Sequence, residues 1–154
     1  MEFLRIGDAI NGGEGSVTAN INGNIEDMIY VRKLEAKIKK QKTSLKVLNH
    51  RGKQSKTTGF EGTGTITAFY FTTAFRKLLL EYSKTGKDTY FTITVTNEDN
   101  TSTIGKQTIV LYYCNFDEAV LAKIAVDDEV LDEDMAFTFS DFDILDEFGK
   151  PITE

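Results

Sequence analysis

Few residues in this chain could make or break a bond. It carries one histidine, His50, and one cysteine, Cys114. A thiol beside an imidazole makes a nucleophile and its base, but no catalytic signature surrounds either residue. They read as a loop histidine and a small buried thiol, and they are too few for a Cys/His zinc site within one chain. Carboxylates are plentiful: Asp127, Asp128, Glu129, Asp132, Glu133 and Asp134, then the run DFDILDE. They lack the oxygen spacing and the glycine of a calcium-binding EF-hand loop, and no pocket element accompanies any pair of them. An acidic face turned to solvent or to an interface fits them better. Gly12, Gly13 and Gly15 have no strand before them and no helix after, so they are turn glycines rather than a phosphate loop. Gly86-Lys87 is followed by Asp88, which excludes a P-loop. No catalytic residue, metal or cofactor is expected, and the chain does not read as an enzyme.

Charge carries the pattern that chemistry lacks. The net charge of −6 is unevenly placed. Arg32, Lys33, Lys37, Lys39, Lys40, Lys42, Lys46, Arg51, Lys53 and Lys56 crowd one stretch in which Glu35 is the only acid. From Asp117 onward the acids face only Lys123 and Lys150. Such asymmetry implies an ionic partner for at least one half. Clustered cations bind phosphate, so a β-rich nucleic-acid-binding module built on residues 32–56 is one reading. Only Tyr30 and Phe60 flank the run, however, which leaves little for bases to stack on. The other reading makes the partner a second copy of the same chain.

The elements that must position these charges follow from periodicity. From Lys56 to Val95 the chain reads turn, strand, helix, turn, strand. Thr72 or Thr73 can cap the helix. Phe75, Leu78, Leu79 and Tyr82 form its apolar stripe, and Gly86 ends it. Leu80 falls off the stripe and predicts cover on a second side. Thr63, Thr65, Thr67 and Phe69 alternate with Gly64, Ile66, Ala68 and Tyr70, and Phe91, Ile93 and Val95 alternate with threonines, both at the strand period. Ser16 to Ile21 is a strand, Asn22-Gly23 a two-residue hairpin turn, and Met28 to Lys40 the return strand. Leu45 to Leu48 predicts a short strand and Asn49 to Gly62 an exposed basic loop. Gln107 to Cys114, Leu121 to Val126 and Met135 to Ser140 complete the strands. Residues 1–15 read as a flexible arm and 142–154 as an acidic tail, partly free. The sum is seven or eight strands with one flanking α-helix: a mainly β, antiparallel fold.

At 154 residues the chain fits a single domain, 1–154. One cysteine allows no internal disulfide, no apolar run approaches the roughly 18 residues of a membrane span, and no secretory leader opens it. Cytoplasmic origin is the default.

The stretch KTTGFEGTGTITAFYFTTAFRKLLLEYSKTGKDTYFTI resembles the tail-tube proteins of contractile phage tails, in particular those of PBSX-type defective prophages. INGGEG, Asn22-Gly23, Asn115-Phe116-Asp117 and the ending KIAVDDEVLDEDMAFTFSDFDI carry the same likeness. The resemblance implies a β-sandwich or split β-barrel flanked by a helix, and a structural subunit with no catalytic role. It implies hexameric rings stacked into a hollow tube, with contractile sheath, baseplate and tail-terminator proteins as partners. DNA would be transient cargo in a phage. Assembly would occur in the bacterial host cytoplasm, and the product would be a virion tail or a released bacteriocin-like particle.

Stacked rings need a head-to-tail contact between two different surfaces. The charge asymmetry therefore assigns Arg51, Lys53 and Lys56 to one surface, and Asp127, Asp128, Glu129, Asp132, Glu133 and Asp134 of a neighbouring subunit to the other. The arm 1–15 is a second candidate interface.

Overall fold

Period-two alternation becomes eight strands and one α-helix in a computed structural model that describes residues 6–10, 12–70 and 72–150. The strands are β1 (Gly15–Ile21), β2 (Asn24–Asp27), β3 (Val31–Leu45), β4 (Gln54–Phe69), β5 (Phe91–Glu98), β6 (Lys106–Phe116), β7 (Asp132–Phe139) and β8 (Asp141–Asp146). The helix α1 (Ala74–Thr85) joins β4 to β5. All pairings are antiparallel, in the order β2-β1-β5-β6-β7-β4-β3, with β8 beside β6. Residues 1–5 and 11 of the N-terminal arm, and 151–154 of the acidic tail, lie outside the described residues.

The Asn22-Gly23 turn forms as its sequence demands. Both residues take positive φ, 53° and 85°, which suits a tight hairpin. The return differs from expectation in being the short β2, Asn24–Asp27, while most of the strand expected over Met28 to Lys40 forms as β3, largely exposed rather than half-buried. Met28 and Tyr30 then plug the core and turn the chain into the separate strand β3. The expected loop from Asn49 to Gly62 and the expected strand from Leu45 to Leu48 are also corrected. β3 runs on to Leu45 and β4 begins at Gln54, so only residues 46–53 form the loop. Together they make one long β-hairpin arm, paired from Val31↔Ala68 out to Leu45↔Gln54. Neither face of its outer half is buried, so no hydropathic alternation marks the strands in the sequence. Leu121 to Val126, an apolar run expected as a strand, forms none.

β6 ties the sheet together. Residues 108–112 pair with β8, and Asn115 and Phe116 pair with β7. Between them Tyr113 takes φ of 57°, a bulge that lets a strand pass from one part of a sheet to another. One core results, with Ala19, Ile93 and Leu111 from β1, β5 and β6 meeting Ile66, Met135 and Phe137 from β4 and β7. Gly62 and Gly64 admit the rings of Phe139 and Phe137, since a Cβ at either would lie within 2.7 Å of a ring carbon. The helix closes the core with Phe75, whose ring meets Phe116 edge-on at 4.7 Å. Leu80 is more than half exposed, against the expectation of a second covered side. The acidic ending is paired as far as Asp146, in β8.

Candidate assembly surfaces

One surface is built from the helix start and the irregular segment 117–131. The Thr72 hydroxyl accepts from the Ala74 N–H at 3.2 Å, while Thr73, at the cap position, makes no side-chain bond. Arg76 stands in the first turn, where the helix dipole disfavours a cation. It is held there by bonds to the Thr72 carbonyl, the Val120 carbonyl and the Glu133 carboxylate, and by the Tyr70 ring 4.2 Å from its guanidinium carbon. Glu133 is 2% exposed. Burial raises its carboxyl above the ordinary value, while Arg76 and Lys123 pull the other way.

The same residues fix the backbone of 117–131. Besides Arg76 on Val120, the Tyr70 hydroxyl donates to the Leu121 carbonyl and its N–H to the Leu131 carbonyl. Lys123 donates to the Asp132 carbonyl at 2.8 Å, and the Asp117 N–H to the Ala136 carbonyl. A segment so tied would be expected to bury its apolar side chains. Instead Ile124 is 95% and Val126 97% exposed, with Leu121 and Val130 also turned outward. Asp127, Asp128 and Glu129 are exposed among them.

The second surface is the tip of the β3–β4 arm. Asn49 takes φ of 63°, and the His50 ring packs down on the loop through an Nδ1 contact to the Gly52 carbonyl at 2.8 Å. Leu48, beside them, is 95% exposed. Arg51 and Lys53 in the loop and Lys56 at the start of β4 are exposed around it.

The two surfaces stand at opposite ends of β4. Its last residue, Phe69, pairs with Asp132 at the close of the acidic segment, and its first, Gln54, adjoins the arm tip. Sixteen residues separate the ends inclusively, or about 50 Å of strand. The basic and acidic sets are thus not brought together within one chain. Of the acids, Asp132 is paired with Arg32 and Asp134 accepts from the Thr67 hydroxyl at 2.7 Å. Glu133 is buried against Arg76, so it cannot reach a neighbour and its place in that interface is withdrawn. The sequence reading missed Arg76, although a cation in a first helical turn signals a partner.

The residues weighed for chemistry are scattered. His50 sits at the arm tip, and Cys114 lies in the core with its thiol pushed up to about 12 by burial. An open groove of about 590 Å³ lies between the starts of β1 and β3 and the end of β5, and glycines 12, 13 and 15 help line it. Among the described residues no group of three or more His, Cys, Asp or Glu could hold a metal, and no helix is long and apolar enough to cross a membrane.

A family model described as phage tail tube protein matches residues 2–146. The chain belongs to the phage tail tube protein family. It is 38% identical over 141 residues to XkdM of the phage-like element PBSX of Bacillus subtilis, covering 92% of this chain and 93% of that one. Its fold is similar to chains in two solved assemblies of the PVC extracellular contractile injection system. These are the sheath/tube terminator (TM-score 0.71, 8% identity, 90% and 97% covered) and the sheath–tube complex (TM-score 0.68, 9% identity, 94% and 93% covered). The tail tube protein is a structural subunit, and its mainly β fold with a single helix is that of the family. The alternative, a nucleic-acid-binding module on residues 32–56, finds no support.

Proposed function

We propose that copies of this tail tube subunit close into six-membered rings, and that the rings stack into a hollow conduit within a contractile sheath. No catalytic step belongs to this role. The observation that carries it is the edge of β3. This strand ends the sheet, and among the described residues no strand pairs with its outer side. A 15-residue edge is a template for aggregation unless something covers it. Lysines 33, 37, 39, 40 and 42 along it discourage casual pairing. In a closed ring a neighbour's sheet covers the edge. A baseplate and a tail terminator would then start and stop the stack, the host cytoplasm would be the place of assembly, and DNA would be cargo where the particle is a phage. Negative-stain microscopy of the concentrated chain tests this: six-fold rings or tubes are expected. A chain that stays monomeric by sedimentation, alone and with its sheath and baseplate partners, would overturn it.

A further inference from the structure

We infer that the tip of the β3–β4 arm of one copy seats on the 117–131 segment of a copy in the adjoining ring, Leu48 against Ile124 and Val126, with Arg51 and Lys53 facing Asp127, Asp128 and Glu129. The inference rests on the ring-and-tube reading and names the joint between rings.

Three observations converge on it. The tip carries one nearly fully exposed aliphatic side chain, Leu48, in a basic fringe, and the segment carries two, Ile124 and Val126, beside an acidic run. That is the composition of an interface with an apolar centre and a charged rim. The segment is also partly preorganised. Arg76 and the Tyr70 hydroxyl fix the carbonyls of Val120 and Leu121, and its own Lys123 side chain ties back to the Asp132 carbonyl, so part of the ordering that would oppose binding is already made. Finally, the surfaces lie at opposite ends of one strand. A chain cannot satisfy itself across that length, and a tip-to-segment contact is heterologous; in a ring already closed through the β3 edge, it is the contact left to propagate along the axis. The charged rim steers the approach, and so stacking should slow as salt rises.

Engineered cysteines test the contact directly, because the native Cys114 is buried. In the Leu48→Cys/Ile124→Cys variant, mild oxidation should give covalent multimers extending past the hexamer on denaturing gels. Either single substitution should stop at dimers or fewer. Leu48→Asp should leave rings intact and shorten tubes by about tenfold or more, the loss expected of an interface anchor. Arg51→Glu with Lys53→Glu should also abolish tubes, and adding Asp127→Lys with Asp128→Lys should restore them. Tubes that form without cross-links, or that keep normal length in the Leu48→Asp chain, would overturn the contact. A wild-type chain that forms no rings at all would instead fail the ring-and-tube reading on which it rests.

Discussion

The body and the arm of this subunit are made from the same two strands, yet different forces hold them. Over residues 62–68, β4 contributes Gly62, Ile66 and Ala68 to the core. Over residues 54–61 the same strand is almost wholly exposed. Its ladder with β3 continues without a break in pairing, apart from a bulge where the Thr58 hydroxyl donates to the Gln41 carbonyl. The body is stabilised by burial, the arm by cross-strand hydrogen bonds alone. A two-stranded ribbon is marginal in water, which suits an element whose cover comes from a neighbour. Strand formation and core membership are therefore separable in this protein.

That contrast can be broken by substitutions ranked by their effect on stability. Phe75→Ala should cost the most, about 3–5 kcal/mol, because it empties the aromatic contact with Phe91 and Phe116. Urea unfolding would show it as a lower midpoint.

Arg76→Ala should follow at roughly 3 kcal/mol near neutral pH, since it strips a buried carboxylate of its partner. Its pH dependence is specific. The raised value of Glu133 means that the native state binds that proton more tightly than the unfolded chain does. The group's contribution is complete below the ordinary carboxylate value, about 4.3, and is lost as pH rises through the raised one. Removing Arg76 enlarges the rise, so the deficit of the variant should shrink in acid and grow toward neutrality. A deficit equal at all pH values would mean that Arg76 acts by packing alone.

Gly64→Ala should cost about 1–3 kcal/mol, because the new methyl meets the Phe137 ring and the Glu35 carbonyl. A cost near zero would show that the ring can move aside. Smallest of all, replacing residues 42–57 by an Asn-Gly turn should leave stability within about 0.5 kcal/mol while abolishing tubes in micrographs. If its unfolding midpoint fell as far as that of Phe75→Ala, the division between body and arm would be wrong.

Legibility in the sequence follows the same division. Where one face is buried, alternation marks the element: β1, β5, β6, β7 and the end of β4 are readable, as are the Asn22-Gly23 turn and the Gly86 helix stop. Gly86 takes φ of 77° and its N–H donates to the Tyr82 carbonyl. β3 was readable as far as Lys40, where Leu34, Ala36 and Ile38 alternate with Lys33, Glu35, Lys37 and Lys39; the outer arm beyond it was not, because a strand with two wet faces leaves no hydropathic trace. Leu121 to Val126 misled in the opposite way. Its apolar side chains are turned out of a segment that Arg76 and Tyr70 tie down at Val120 and Leu121.

The amino-acid order by itself determined the class of fold, the single helix and the unequal placement of charge, because each is set by local propensity and spacing. It also placed the chain in its family. Only the tertiary structure decided which charges are free, since burying Glu133 and pairing Asp132 with Arg32 depend on contacts between residues far apart in sequence. It likewise set the basic tip and the acidic segment at opposite ends of one strand. The separation of two surfaces is a property of folded geometry, and no window of sequence contains it.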